Sequence, residues 1–282
     1  MNAMIPAQAH SDQEVITLWL SLQRSPLTQA SYARTIHNLQ AYTAKPIPML
    51  TVADLQDWQQ NQTGADATIA NRLAAIKSFF SLATKTGYLR FNPAQALRLA
   101  PAKQTLSQRI LSEEDVQVLL AHEAHPRNRA LLSLLYISGM RVSEICGLCW
   151  CDVTPTVAGA VLTIYGKGGK TRIVPISTEV LNLLGERGTD TAPVFVSRSL
   201  KGHLSRQQVH NIVKAAAKRV GLTQAVSAHW LRHAHASHAL EHGASLPLVQ
   251  QTLGHANIAT TGVYLHARPG QSSGNYLELP QS

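Results

Sequence analysis

Apolar residues recur at helical spacing along most of this chain, and the pattern is broken in one place by two short β-branched runs, 161–165 (VLTIY) and 171–176 (TRIVPI). Between them lies Gly166-Lys167-Gly168-Gly169-Lys170, so the break reads as a hairpin with a glycine-rich, dibasic tip. The expected fold is therefore mainly α with a small β-sheet.

A length of 282 residues exceeds the usual span of about 100 to 200 per domain, which favours two domains. The polar, non-periodic stretch RLAPAKQTLSQRI, 98–110, carries a proline and is the natural place to divide them. The expected organisation is a helical domain over 1–100, a linker over 101–110, and a mixed domain over 111–282 that ends in a short tail. In the first domain, helical patterns cover 12–22, 27–44, 52–60 and 66–86. Ser11 with Glu14 has capping-box spacing, Thr51 is a good N-cap, and Gly87 sits where a glycine should stop the last helix. In the second domain the helical segments are 113–123, 127–137, 141–148, 179–184, 205–220, 228–241, 246–253 and 258–265. With 45% hydrophobic and 15% charged residues, the chain can bury proper cores, which excludes a disordered, collagenous or coiled-coil protein.

The formal net charge of +9 points to a polyanionic partner, nucleic acid before membrane. The longest apolar run, 130–137, is far short of the roughly 18 residues that a spanning helix needs, so no membrane association is expected. MNAMIPAQAH shows no secretory pattern, and a cytoplasmic location is expected. Only 15 residues are aromatic, few for a protein that stacks exposed bases, so the expected polyanion is double-stranded DNA and not a single strand. Arg34, Arg72, Lys77 and Lys85 recur on the longer helices of the first domain and are placed to follow a phosphate backbone, with Lys170 and Arg172 doing the same from the hairpin.

Several chemistries lack their parts. There is no GxxxxGK[ST] loop, no GxGxxG after a strand, and no acidic cluster spaced for magnesium, so neither ATP use nor two-metal nuclease chemistry is supported and no cofactor is expected. His229, His233, His235, His238 and His242 crowd one helix, where i, i+4 pairs are able to share a metal, but a metal site is not the favoured reading. Cys146, Cys149 and Cys151 lack a second cysteine pair and read as buried, redox-silent thiols.

What stands out is an ordered series of cationic and polar groups ending in a tyrosine: Arg141, Lys167, His229, Arg232, His255 and Tyr264. The segments that carry it, GMRVSEI at 139–145, HWLRHA at 229–234, LGH at 253–255 and TTGVY at 260–264, resemble the signature boxes of the tyrosine recombinases, the phage integrase family. The likeness is greatest to its Xer-like bacterial branch and strongest from Ile110 to Ala267; residues 1–100 match in size, helicity and charge the family's SAM-like core-binding domain. The resemblance implies a two-domain, C-shaped clamp on duplex DNA, strand cleavage and rejoining through a 3′-phosphotyrosine, and a homo- or hetero-tetramer acting on two DNA sites. It departs at His235, usually aromatic or aliphatic, at Ser237, usually threonine, and in the tail, whose Pro269, Gly270 and Gly274 read poorly as a helix.

The chemistry explains the residue types independently. Attack of a tyrosine hydroxyl on a phosphodiester keeps the ester's energy in a covalent intermediate, so neither metal nor ATP is needed. The five-coordinate transition state carries extra negative charge, which favours forked, permanently charged donors such as Arg141 and Arg232; losing one such donor typically costs about 10² to 10³ in rate. A phenol with a pKa of about 10 is roughly 0.1% ionised at neutral pH, so Tyr264 needs a cationic pocket or a base, and His229, one turn before Arg232, is suited to accept its proton. By resemblance His255 donates to the scissile phosphate and Lys167 protonates the leaving 5′ oxygen, with Lys170 as a competitor for that role. Glu144, three residues after Arg141, is expected to orient the cations.

Taken singly, each residue has an ordinary reading: Arg141 as a surface charge or helix cap, Tyr165 and Tyr276 as packing. Their joint occurrence in order is what carries the assignment. Two other classes share parts of it, a catalytically idle DNA-binding relative and a type IB topoisomerase-like enzyme that nicks and reseals without exchanging strands.

Overall fold

Helices begin where the sequence supplies side chains that satisfy their free amides. The computed structural model describes residues 9–98, 109–166, 169–197, 202–222, 226–255 and 257–264, and the chain separates into two units, Met1–Gln104 and Thr105–Ser282. The first unit holds α1 (Asp12–Ser21), α2 (Pro26–Thr43), α3 (Val52–Gln60) and α4 (Asp66–Lys85). Thr51 and Asp54 form a reciprocal capping box on α3. On α1 the expected box is rearranged: Ser11 Oγ accepts from the Glu14 amide at 3.2 Å, while the Glu14 carboxylate takes the His10 amide at 2.8 Å. Trp19, Trp58, Phe79 and Phe80 are fully buried at the centre of this unit. Each indole finds a partner, Trp19 Nε1 donating to Ser78 Oγ at 3.3 Å and Trp58 Nε1 to Asn38 Oδ1 at 2.9 Å, so the rings are buried without an orphaned donor.

The second unit runs α5 (Glu113–Ala121), α6 (Pro126–Ser138), α7 (Val142–Gly147), β1 (Val153–Thr156), β2 (Gly159–Tyr165), β3 (Thr171–Ser177), α8 (Thr178–Leu183), α9 (Arg206–Arg219), α10 (Ala228–Glu241), α11 (Leu246–Leu253) and α12 (Ile258–Gly262). The sheet is a three-stranded antiparallel meander, β1-β2-β3, with Tyr165 opposite Thr171 at the hairpin end. Helix α6 is the spine of this unit: Leu131, Leu132, Leu134 and Leu135 are all fully buried, each stabilising the fold by about 1.5 to 3 kcal/mol. A smaller apolar cluster joins Ala236 and Leu240 of α10 to Val249 and Leu253 of α11 and to Tyr264.

The mainly α architecture with one small sheet matches the sequence expectation. The strand β1 was not anticipated; Pro155 interrupts its pattern and is tolerated because β1 lies at the sheet edge. The proposed linker falls outside the described residues except for its last two, and the tail, with Tyr276, lies wholly outside them. Among the described residues no helix is long and apolar enough to cross a membrane.

Candidate active site

Arg141 caps α7 from just beyond the end of α6, where Gly139 adopts a left-handed conformation (φ +59°) that turns the chain. A side chain at Gly139 would be crowded from two sides, since a Cβ there would lie 2.7 Å from Leu253 Cδ2 and 2.9 Å from His235 Cδ2. Glu144 of α7 accepts from the Arg141 backbone amide at 2.7 Å and from Arg141 Nη1 at 2.9 Å, while Arg141 Nη2 donates to the Gly254 carbonyl at 3.3 Å. The Arg141 side chain keeps about a third of its surface exposed, 32% against 4% for Glu144, so this guanidinium is braced from behind and open in front.

Arg232 on α10 is buried, and its Nη1 and Nη2 donate to the carbonyls of Gly139 and Leu253, the second at 2.6 Å. Those carbonyls end α6 and α11, so a single side chain ties the turn before Arg141 to the turn before His255. His255 follows the left-handed C-cap Gly254, and both its amide and its carbonyl bond Gln250 at 3.1 Å. Its Nδ1 lies 2.8 Å from the hydroxyl of buried Thr261, and the Tyr264 amide donates to the Thr261 carbonyl at 3.1 Å, so the loop that fixes His255 also delivers Tyr264.

Tyr264 is buried, and its hydroxyl meets His233 Nδ1 at 2.5 Å. His229, expected to take this proton, instead packs edge-on against the His233 ring at 4.9 Å. His233 adjoins Arg232 in sequence, but the HxxxH spacing that it makes with His229 suggests a metal as readily as a phenol.

The electrostatics follow from burial among cations. Burial, then the neighbouring charges of His229 and Arg232, hold the His233 imidazole at about 4. Burial with Arg232, Arg141 and Arg172 does the same to His255, also about 4. His229 is lowered by loss of water around its inner edge and by Arg232, Arg141 and Arg109. Burial and repulsion from Arg141 bring even Arg232 down to about 10. Burial raises the Tyr264 phenol, with Arg232 opposing it. Glu144 would be raised by burial, but hydrogen bonds from Arg172 and Arg141 reverse the sign and keep it below its ordinary value. The resting site therefore holds neutral imidazoles and a protonated phenol beside fixed guanidinium charge.

The remaining expected residues divide. Lys167 lies outside the described residues, but the root of its hairpin is closed by Gly166 N donating to Lys170 O at 2.7 Å, and a Cβ at Gly166 would lie 3.6 Å from Glu144 Oε1. Lys170 is exposed. Arg172, expected to reach DNA, turns inward instead: its side chain is 8% exposed and grips Glu144 with both Nη atoms, at 3.0 and 2.8 Å. Arg34 and Arg72 line a polar depression between α2 and α4 together with Asn38 and Asn71, and Lys77 and Lys85 line another with Ser81 and Asn92. Arg72 Nη1 is tied to Gln62 and Thr63 at 3.0 Å and Lys77 Nζ to the Leu97 carbonyl at 2.7 Å, whereas Arg34 and Lys85 are exposed.

The other histidines have separate partners: His235 Nδ1 the Tyr136 carbonyl at 2.8 Å, His238 the Tyr136 hydroxyl and the Leu111 carbonyl at 3.0 Å, and His242 the Glu113 carboxylate at 2.5 Å. The thiols correct the expectation of burial, because Cys146 and Cys149 are half-buried and Cys151 is exposed on a short 3-10 turn that faces it outward.

Two guanidinium groups, an imidazole and a tyrosine are thus gathered from α6–α7, α10, α11 and the segment after α12. The model of the phage integrase family matches residues 109–271, and that of the phage integrase N-terminal SAM-like domain matches residues 15–87. The chain belongs to the phage integrase family. Among this family's members, tyrosine recombinase XerC of Xylella fastidiosa (strain 9a5c) is 37% identical over 207 residues, spanning 71% of this chain and 69% of the relative. XerC of Xanthomonas campestris pv. campestris (strain B100) is 33% identical over 281 residues, 94% of this chain and 84% of the relative. The Xer-like resemblance is thus borne out. In fold, the chain is similar to a lambda integrase (75-356) dimer bound to a COC' core site, with a TM-score of 0.75, 20% identity and coverage of 93% and 96%. It is also similar to the XerH recombinase bound to its difH substrate in a pre-cleavage complex, with a TM-score of 0.69, 22% identity and coverage of 94% and 87%. This phage integrase family member is a site-specific tyrosine recombinase, an enzyme that cuts and rejoins DNA strands.

Proposed function

We propose that Tyr264 is the nucleophile of this recombinase and that Arg141, Arg232, His255 and Lys167 stabilise and resolve the transition state on duplex DNA. The observation that carries the reading is the convergence of Tyr264, His255 and Arg232 through Thr261 and the Leu253 carbonyl. The phenol oxygen attacks phosphorus, the bond to the 5′ oxygen breaks, and the leaving oxygen takes a proton from Lys167, leaving a 3′-phosphotyrosine. The phenol proton passes to His233 Nδ1, the acceptor already in contact with it, with His229 behind as the next ring in line. Arg141 offers its open face to a non-bridging oxygen, and Arg232 supplies charge from beneath. With Nδ1 engaged by the Thr261 hydroxyl, Nε2 is the nitrogen of His255 left to meet the phosphate.

At rest this pocket is poised against ionising the phenol, since the tyrosine is pushed up and its partner imidazole down. An arriving phosphate reverses part of this by neutralising the cations that depress the histidines. Cleavage therefore waits on DNA. Exposed Arg34, Lys85 and Lys170 contact the phosphate backbone without reading sequence, and four protomers on two sites, in the cytoplasm, complete the exchange.

The test is a duplex nicked near the cleavage point, carrying a site selected from a randomised library. Wild type accumulates a covalent adduct that maps to Tyr264 and joins two duplexes; Tyr264→Phe forms no adduct and binds DNA with unchanged affinity. Adduct formation by the phenylalanine variant refutes the nucleophile, and resealing without joining two duplexes refutes strand exchange.

A further inference from the structure

We propose that Arg172 is a positioning residue that registers the Arg141 turn against the His255 turn without touching DNA, an inference that rests on the assignment of Arg141 and His255 above. Arg172 lies on β3, two residues beyond Lys170, at the root of the hairpin that carries Lys167. Its guanidinium makes a forked contact with Glu144, Nη1 to Oε1 at 3.0 Å and Nη2 to Oε2 at 2.8 Å. Its remaining nitrogen, Nε, donates to the Thr252 carbonyl at 2.7 Å, at the end of α11 and three residues before His255. Glu144 in turn holds Arg141 at both its backbone amide and its Nη1. One side chain therefore connects the hairpin, the Arg141 turn and the α11 terminus, which are distant in sequence.

The packing leaves this side chain little room to move. A Cβ at Gly254 would lie 3.2 Å from Arg172 Cδ and 3.3 Å from Nη1, and one at Gly166 would lie 3.8 Å from Nη1. The two glycines let the hairpin root and the His255 turn close over the guanidinium from either side. With each of its three nitrogens already donating and 8% of its side chain exposed, Arg172 is shut away from a phosphate. Planar forked geometry is what the position demands, and lysine, a point donor on a flexible stem, cannot satisfy two carboxylate oxygens and a carbonyl together. Loss of register by about 1 Å in such a site costs on the order of 10²-fold in rate.

The experiment compares single-turnover adduct formation by the full chain on two nicked duplexes, one with an ordinary scissile phosphate and one with a neutral methylphosphonate there. The neutral ester has less charge for Arg141 to stabilise. Arg172→Lys should cleave the phosphate at least about tenfold more slowly, lose much less on the methylphosphonate, and keep DNA affinity within about threefold. In an Arg141→Ala background the same change should cost little more, because the two act as a unit. Wild-type cleavage by Arg172→Lys, an equal loss on both esters, or a full additional loss on top of Arg141→Ala overturns the proposal; the equal loss is what a merely less-folded protein would give. If Arg141→Ala itself cleaves the phosphate normally, the site assignment fails and this inference falls with it. Should Arg172→Lys melt too early to assay, the pair Glu144→Gln with Arg172→Gln, which removes one buried charge of each sign together, is held to the same outcomes.

Discussion

His233 Nδ1 lies 2.5 Å from the hydroxyl oxygen of Tyr264, and His233 is the residue directly after buried Arg232. The hydrogen-bond partner of the Tyr264 hydroxyl and a buried source of positive charge are thus consecutive residues of α10. Their proximity couples two requirements, since the charge that favours a phenolate also depresses the imidazole that would receive its proton.

His233→Phe keeps an aromatic ring but leaves the buried phenol oxygen without its partner, a defect worth about 1 to 3 kcal/mol. Single-turnover adduct formation is expected to fall roughly tenfold to a hundredfold, within the range of a positioned proton acceptor or below it. His233→Asn places an amide oxygen close to where Nδ1 stands and should recover most of that loss. Equal rates for the phenylalanine and asparagine variants would show that the hydrogen bond is incidental.

Gly139→Ala tests the turn that supports both arginines. The left-handed backbone costs alanine about 1 to 2 kcal/mol, and the clashes with Leu253 and His235 add roughly 1 to 3 kcal/mol of overpacking. Urea denaturation at constant m should show a loss of about 2 to 5 kcal/mol. A loss under half a kcal/mol would mean that the turn relaxes freely.

Acid should unfold the second unit earlier than an ordinary histidine content predicts. His233, His235 and His255 sit at about 4 in the folded chain against 6.5 for a free imidazole. Between those values the unfolded chain binds protons that the folded chain refuses, so stability is full above about pH 6.5 and declines as the pH falls toward 4. Melting temperature followed from pH 7.5 to 4.5 should drop across that window, and a flat curve would contradict the burial of these rings.

Much of this was legible in the sequence because the signals are local. Helices α3, α10 and α11 begin and end where their caps and periodicity place them, and Gly87 and Gly139 stand at positive φ where a helix must stop. What was not legible is non-local. Whether an arginine on a strand faces solvent or a carboxylate depends on Glu144, which is 28 residues earlier in the chain, so Arg172 read as a DNA contact. His229 and His233 are equivalent by spacing, and only the path of the segment after α12 decides which of them meets Tyr264. Strand β1 was hidden because Pro155 breaks its pattern, while its pairing with β2 supplies the hydrogen bonds that local sequence does not announce.

The exposed and buried cations should separate in their response to salt. Each phosphate contact releases condensed counterions and adds about 0.9 to the magnitude of the slope of log affinity against log salt on duplex DNA. Lys85→Ala and Lys170→Ala remove exposed charges and should each reduce that slope by about one, weakening binding similarly on all sequences. Arg172→Gln, by contrast, removes a charge that is paired with Glu144 and shut away from solvent, and should leave the slope unchanged while slowing cleavage. Binding isotherms from about 50 to 200 mM salt resolve a difference of one contact. If Arg172→Gln shifted the slope as far as Lys170→Ala does, Arg172 would have to leave Glu144 and face the backbone in the complex.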